Sequence, residues 1–212
     1  MALIDALISI IIVFILLTAF IFIMQNRITS MINTFIWQSI LLALATFLTA
    51  LKTGETGLYV SAGLTITLKA LAIPYLLHRL INKLNIRHKV SAIKHPFLLL
   101  IGAALLVLFC YHLITPTNNI IAIAMAIMLL GMLLLITHHK AISHIIGFMS
   151  MENGIFLAAL LATQGMPMVV ELGVAFDILI AVVLFGVFFF QLRRNIDSLD
   201  VDRLNLLRED VE

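Results

Sequence analysis

The chain has 212 residues, of which 63% are hydrophobic and 11% are charged, and its formal net charge is +2. A soluble domain of this length carries far more charge, so the composition excludes a soluble globular protein, and the small net charge gives no reason to expect nucleic-acid binding. The single cysteine, Cys110, excludes an internal disulfide and argues against an iron–sulfur cluster or thiolate zinc site held by this chain alone. The composition predicts an all-α polytopic membrane protein surrounded by the lipid bilayer.

Seven apolar stretches approach the roughly 20 residues that a helix needs to cross a bilayer. The first has no basic start and continues to Met24, so we expect a retained membrane helix rather than a cleaved signal peptide. Turn-forming and polar residues separate the stretches. The predicted spans cover residues 3–24, 31–51, 58–80, 96–115, 119–138, 142–163 and 169–191.

Basic residues fall unevenly on the two sides of these spans. The positive-inside rule places the richer side in the cytoplasm, which predicts an outer N-terminus and a cytoplasmic C-terminus. The poorer side receives Lys52, beside Glu55. An odd number of spans agrees with termini on opposite sides. The richer side receives Arg27, Arg79, Lys83, Arg87, Lys89, Lys94, Lys140, Arg193 and Arg194.

The chain is predicted to form a single transmembrane bundle over residues 1–194, followed by a cytoplasmic tail of mixed charge over residues 195–212. Residues 1–81 and 119–194 form a candidate parallel repeat, of the kind found in some transporters. Each half carries one polar group in its second span and one in its third. These groups are Gln38 and Lys69 in the first half, and Glu152 and Asp177 in the second.

Lys69, Glu152 and Asp177 lie near the middles of their predicted spans. A charge at the centre of a bilayer costs about 2.5–3.5 kcal/mol on insertion scales. Folding alone does not require that cost, so we predict that these three residues handle protons or ions.

Glu152 lies between Gly147 and Gly154, which mark one side of the helix and permit close contact with a neighbouring helix. Burial there favours the neutral form of a carboxyl group, as a proton carrier requires. Asp177, four residues after Gly173, is predicted on an antiparallel neighbour at similar depth. Two carboxyl groups in one apolar bundle resist ionising together. A simple hydrogen bond between helices is the alternative explanation for each acid.

Lys69 precedes Pro74 by five residues, and a proline there removes the hydrogen bond to the carbonyl of Ala70. We therefore expect a helix kink beside the lysine, at a place where an irregular backbone lines a cavity. The ammonium group would then move between partner acids. The alternative is a permanent ion pair with Glu152 or Asp177.

Three weaker candidates for the same relay are Gln38, His144 and Glu171. Gln38 would order water or make a hydrogen bond between helices. His144 precedes Glu152 by two turns and would feed protons or sit at headgroup level. Glu171 begins the last span, where a helix N-terminus favours an acid, or serves as an exit group.

No cofactor and no metal are expected. His112 is predicted near one end of its span and the pair His138-His139 near the opposite face, so they cannot meet at one haem iron. The sequence has no glycine-rich phosphate loop, nucleophile elbow or metal-ligand spacing. We expect no catalytic activity from this chain alone.

The segments 146–154 (IGFMSMENG) and 191–201 (QLRRNIDSLDV) resemble the NuoK subunit of respiratory complex I and the related MrpC antiporter subunit. Over nearly all seven spans the chain more closely resembles HyfE, the component E membrane subunit of hydrogenase-4 type complexes. The residues that carry this resemblance are Met151-Glu152-Asn153-Gly154, Ala175-Phe176-Asp177, Lys69 with Pro74, and Leu199-Asp200-Val201.

The resemblance implies a subunit of the membrane arm of a complex-I-related assembly in the cytoplasmic membrane of a bacterium or archaeon. Its partners would be other membrane subunits and hydrophilic subunits that move electrons, for example from formate to a nickel–iron hydrogenase. The membrane arm of such an assembly moves protons or sodium. Aligned on the NuoK motifs, the two NuoK glutamates fall on Met149 and Ala181, each about one turn from Glu152 and Asp177.

The sequence therefore favours a non-catalytic membrane-arm subunit whose buried ionisable residues take part in proton or ion translocation. A subunit of a Mrp-type cation/proton antiporter and a structural scaffold subunit remain as alternatives. A stand-alone transporter is disfavoured because few polar residues are present to form a substrate pocket.

Overall fold

The computed structural model describes residues 2–83, 96–114, 119–138 and 141–162, with isolated helical positions at Leu179, Val183 and Gly186. The predicted span 169–191 and tail 195–212 otherwise lie outside this part. Every regular element in the described ranges is helical. In chain order these are α1 (Ala2–Met24), α2 (Ile28–Thr53), α3 (Thr56–Leu64), a π-helical segment (Thr65–Ala72), α4 (Ile73–Lys83), α5 (Pro96–Ile114), α6 (Asn119–Thr137) and α7 (Ala141–Ala162).

Five helical runs in the described residues are long and apolar enough to cross a membrane, and they make the protein a multi-pass helical membrane protein. The predicted fourth span corresponds to α5, whose apolar run, Phe97–Leu113, is shorter than the others. The five longer runs are Leu3–Met24, Ile28–Thr53, Thr56–Arg79, Ile120–Thr137 and Ile142–Ala162.

The turn between α2 and α3 lies where the sequence predicts it, although α2 begins at Ile28, three residues earlier than expected. Gly54 ends α2 in the left-handed conformation, with φ of 76°, and its N–H group donates to the carbonyl of Ala50 at 2.8 Å. Glycine adopts this conformation without the steric cost that a Cβ atom imposes. The result is a tight reversal that packs α2 against α3.

The third predicted span is continuous from Thr56 to Lys83, but its middle is not an α-helix. Thr65–Ala72 forms a π-helical segment, and at its end the N–H group of Ile73 donates to the carbonyl of Leu68, five residues back. The sequence predicts a helix kink beside Lys69, caused by Pro74. The structure shows an irregularity of another kind there, a wider helix over eight residues that includes Lys69. Such segments are rare and are frequently found at functional sites.

Glycines bring α6 and α7 into close contact. A Cβ atom at Gly154 would overlap the backbone of Met128, and one at Gly131 would overlap the backbone of Met151. One at Gly147 would meet Leu135 Cγ at 3.2 Å. The close helix contact predicted from Gly147 and Gly154 is therefore confirmed, with α6 as the partner helix.

We expect Gly154→Ala to separate α6 from α7, because the added methyl group has no space beside Met128. The cost should be about 1–3 kcal/mol, which is typical of overpacking a well-packed interior. The measurement is the thermal midpoint of the purified chain in detergent. Gly102→Ala is the matched control, since a Cβ atom there meets nothing within 4 Å. Equal midpoints for the two variants would contradict the close contact.

Helix α2 is central to the described bundle. It packs against α1 on one side, against α3, the π-helical segment and α4 on another, and against α7. Its side chains therefore reach the π-helical segment and α7 at the same depth. This arrangement brings together three predicted site residues from distant parts of the chain.

Candidate functional site: a buried ion pair within the helical bundle

Lys69 and Glu152 form an ion pair inside the bundle. The Lys69 Nζ atom lies 2.7 Å from both Glu152 Oε1 and Glu152 Oε2. The two residues are 83 positions apart in the sequence, one in the π-helical segment and the other in α7. Only 1% of Lys69 and 4% of Glu152 is exposed, so the pair is shielded from solvent almost completely.

The pair lies near mid-span. Glu152 is eleven residues from the start of α7 and Gln38 is ten residues from the start of α2. At 1.5 Å per residue these positions are about 15–17 Å along their helices, which is half the hydrocarbon thickness of a bilayer. A buried ion pair at this depth is held by mutual attraction and hydrogen bonds because bulk water does not solvate it.

Two amide side chains extend the ion pair into a network. Lys69 Nζ also donates to Asn153 Oδ1 at 2.9 Å, and Asn153 Nδ2 donates to Gln38 Oε1 at 3.2 Å. Both amides are fully buried. An ammonium group only donates hydrogen bonds, so the Asn153 atom that faces Lys69 must be the oxygen Oδ1. The amide nitrogen Nδ2 then faces Gln38. We call Lys69, Glu152, Asn153 and Gln38 the ionic network.

The ring of Phe156, one turn beyond Glu152, covers the ammonium on another side, with the Lys69 Nζ atom 5.9 Å from the ring centroid. An aromatic face attracts a cation at this distance and supplies no proton acceptor. Among the described residues, the Lys69 ammonium thus contacts a carboxylate, an amide oxygen and an aromatic ring. The amide oxygen and the ring still attract the ammonium when the carboxylate is neutralised.

One face of α7 packs against α6, and another face carries residues of the ionic network. Gly147 and Gly154 contact α6, whereas Glu152 and Asn153 contact Lys69 and Gln38. The tight glycine contact with α6 therefore fixes the rotation of α7. That rotation directs Glu152 and Asn153 towards α2 and the π-helical segment.

The structure places the predicted site residues as follows. Lys69, Glu152 and Gln38 lie together in the ionic network, and Gln38 makes the hydrogen bond between helices that was one of its two expected roles. His144, two turns before Glu152 on α7, is exposed rather than part of the buried network. Asp177 and Glu171 lie outside the described residues.

Asn153 is a network residue that is not among the predicted site residues. Its position beside Glu152, in the middle of an apolar helix, is the signal in the sequence that indicates it. Two adjacent side chains on a helix point about 100° apart, so together they cover a wider arc than one side chain does. Here both reach Lys69 in the π-helical segment, and Asn153 also reaches Gln38 on α2.

Metal ligation has no support among the described residues, where no group of three or more His, Cys, Asp or Glu side chains could hold a metal ion. The network contains one carboxylate, one ammonium and two amides. These groups are suited to binding, releasing or steering a proton or a small cation. The fold and the site define a multi-pass helical membrane protein with a desolvated charge pair at mid-depth.

Comparison with known proteins shows which proteins the chain is similar to. The chain is 28% identical over 177 residues to hydrogenase-4 component E of Escherichia coli, a match that covers 80% of this chain and 82% of that protein. It is also 28% identical over 194 residues to an uncharacterized protein of Mycobacterium tuberculosis, covering 87% and 88% of the two chains. This similarity over most of both chains supports a distant HyfE-like assignment, as the motifs of the chain predict. No family model matches the chain. No solved structure matches it either.

Proposed function

We propose that this chain is a membrane-arm subunit of a complex-I-related oxidoreductase of the hydrogenase-4 type, and that its ionic network takes part in proton or ion translocation. The relationship to hydrogenase-4 component E supports the kind of complex. The observation that carries the translocation role is the Lys69–Glu152 pair, buried at mid-span with Nζ 2.7 Å from the carboxylate.

The network supplies a physical basis for proton exchange. In the observed arrangement the ammonium stabilises the ionised carboxylate of Glu152. A rearrangement that draws Lys69 away would leave that carboxylate in an apolar site, where it takes up a proton. Asn153 Oδ1, at 2.9 Å, retains the ammonium nearby and allows the pair to form again when the proton leaves.

The conformational change that drives this exchange must supply at least the energy of moving the charge. One charge crossing a potential of 100 mV is worth about 2.3 kcal/mol. A neighbouring subunit that changes shape with its redox reaction would supply this energy by separating and rejoining Lys69 and Glu152. The chain itself would remain non-catalytic.

The remaining parts of the proposal extend the ionic network. Asp177 would act as a second carboxyl relay, and Gln38, His144 and Glu171 would assist by ordering water or by passing protons at the ends of the path. The bundle would comprise seven spans over residues 1–194, with an outer N-terminus and a cytoplasmic tail over 195–212, in a bacterial or archaeal cytoplasmic membrane. A NuoK-like second half belongs to the same proposal.

The parallel repeat of residues 1–81 and 119–194 gains support from the ionic network. The second spans of the two halves are α2 and α7, and they contribute Gln38 and Glu152 to one hydrogen-bonded network through Asn153. Equivalent helices of a parallel repeat related by an axis along the membrane normal reach the same depth. The shared depth of Gln38 and Glu152 agrees with that relation.

We expect the full-length tagged chain, solubilised from its native membranes in a mild detergent, to co-purify with hydrogenase or dehydrogenase subunits. Mass spectrometry of the purified material is the measurement. An untagged strain processed in parallel is the control for adventitious binding. Recovery with antiporter subunits alone would reject the hydrogenase-type assignment in favour of a cation/proton antiporter.

A further inference from the structure

Trp37 lies on the outer surface of the bundle at the depth of the ionic network. It directly precedes Gln38 on α2 and is 64% exposed, whereas Gln38 is fully buried. Trp37 is nine residues from the start of α2, which is about 14 Å along the helix axis and close to the middle of a hydrocarbon core about 30 Å thick. Tryptophans in membrane proteins are concentrated instead at the two membrane–water interfaces, where the indole N–H group meets polar partners. Trp37 therefore occupies an unusual depth for a tryptophan that faces lipid.

The indole N–H group of Trp37 has no acceptor among the described residues. The amide of Asn33, one turn nearer the Arg27 end on the same exposed line of α2, makes no hydrogen bond within these residues either. Lipid chains contain no acceptor, and the headgroups are about 15 Å away from mid-depth, beyond the reach of an indole ring. Leaving a polar group unpaired in hydrocarbon costs free energy. The two side chains therefore indicate that protein, rather than lipid, covers this side of α2.

The exposed line of α2 continues onto the neighbouring run of α3 and the π-helical segment. The rings of Phe47 and Tyr59 contact each other edge to face, with centroids 5.7 Å apart, and the two residues are 42% and 38% exposed. Beyond Tyr59, exposed residues follow at intervals of four, a spacing that keeps them on one side of a helix. We call the following exposed residues of the two runs the outer face: Asn33, Trp37, Ile40, Gly63, Thr67 and Leu71.

The outer face and the ionic network lie on opposite sides of the same two helical runs. Thr67 is exposed, whereas Lys69, two residues later in the π-helical segment, is 1% exposed. Trp37 and Gln38 show the same division on α2. One helix thickness therefore separates the outer face from the network. A helix that packs on this face and shifts would move the backbones that carry Lys69 and Gln38.

We propose that the outer face is the docking surface for a transmembrane helix of another subunit, and that this helix presents a hydrogen-bond acceptor to Trp37 at mid-depth. The acceptor is a hydroxyl, carboxamide or carboxylate oxygen, because an indole N–H group only donates. Polar side chains of this kind join helices within membranes. That the partner belongs to a hydrogenase-4 type complex rests on the proposed function, whereas the presence of a helix on this surface does not.

The test uses a photoreactive p-benzoylphenylalanine in place of Trp37, introduced into the full-length tagged chain in its native membranes. The same probe in place of Leu105 is the control at equal depth. Leu105 is nine residues from the start of α5, as Trp37 is from the start of α2, and it is 59% exposed. After illumination, the tagged chain is purified in denaturing detergent, and mass spectrometry identifies the molecules joined to it.

We expect the probe at position 37 to form an adduct with a membrane-spanning segment of another subunit, within one helical turn of a side chain that carries an oxygen atom. The yield of protein adduct should exceed that from position 105. Adducts with lipid alone, with a second copy of this chain or with another part of the same chain would overturn the proposal. A yield of protein adduct no higher than at position 105 would also overturn it.

Gly63→Leu tests the same surface by blocking it. A Cβ atom at Gly63 meets nothing within 4 Å, so the added side chain leaves the packing of this chain unchanged but overlaps a helix docked on the outer face. We expect the yield of adduct at position 37 to fall at least about tenfold, as overpacking of a helix contact predicts. The thermal midpoint of the purified chain should stay the same.

Gly102→Leu on α5 is the matched control, because a Cβ atom there also meets nothing within 4 Å. We expect this variant to keep the full yield of adduct at position 37. Equal yields in the Gly63→Leu and Gly102→Leu variants would overturn the docking surface.

The docking surface and the proposed function can fail separately. An adduct with a subunit of an assembly other than a hydrogenase-4 type complex would support the docking surface and reject the proposed function. Lipid adducts alone, together with lost translocation in the Glu152→Gln variant, would overturn the docking surface and support the proposed function.

Discussion

Glu152→Gln should reduce ion translocation by the complex to the background of membranes that lack it, while the complex still assembles. Glutamine has nearly the same shape and keeps an oxygen that accepts from Lys69 Nζ, which lies 2.7 Å from the carboxylate in the native chain. It cannot take up a proton. The variant therefore removes the proposed chemistry and largely preserves the packing of a residue that is 4% exposed.

The measurement is redox-driven ion movement in sealed inverted vesicles, normalised to the amount of complex recovered by co-purification. Glu55→Gln is the matched control, because it makes the same chemical change at an exposed carboxyl between α2 and α3. We expect Glu55→Gln to retain normal translocation. Normal translocation in Glu152→Gln, with full assembly, would reject a relay role for Glu152.

The second large effect concerns the cation of the pair. Lys69→Met leaves the Glu152 carboxylate in a buried site without its ammonium partner. Breaking a buried ion pair from one side typically costs about 3–5 kcal/mol. We expect a marked loss of folded chain, measured as its thermal midpoint in detergent and its amount in membranes.

Combining Lys69→Met with Glu152→Gln should recover much of that loss, because neither buried charge then remains. Lys52→Met is the matched control: its ion pair with Asp5 is exposed at the end of the bundle, so its loss should cost about 0–1 kcal/mol. A double variant no more stable than Lys69→Met alone would contradict the energetic coupling of Lys69 and Glu152.

The variant that combines Lys69→Met with Glu152→Gln also distinguishes a proton or ion relay from a purely structural role of the ion pair. A purely structural pair can be replaced by neutral residues once the helices pack, so a scaffold subunit would support normal translocation in the assembled double variant. The proposed relay requires that the assembled double variant translocates nothing above background. Assembly and translocation are measured on the same vesicles.

The position of the charges was predictable from sequence, but their pairing was open. Lys69 was expected to meet Glu152 or Asp177, and the structure shows it with Glu152. The sequence gives the depth of each residue in its helix. The partner depends on the rotation of each helix about its axis, which local sequence does not define.

Two features of the backbone set that rotation. Gly131, Gly147 and Gly154 bring α6 against one face of α7, so the other face presents Glu152 and Asn153. The glycine contact was expected from spacing, whereas its partner helix was not. The π-helical segment at Thr65–Ala72 changes the direction of Lys69, and only an irregularity near Pro74 was foreseeable.

The sequence by itself determined the class of protein, the apolar runs and the placement of a lysine and a glutamate at mid-span, because hydrophobic length and charge position are local properties. The tertiary structure decided that Lys69 binds Glu152 and Asn153, and that Asn153 joins Gln38. These are contacts between residues about 80 or more positions apart. They exist because close helix packing leaves each buried polar group only a few neighbours with which to pair.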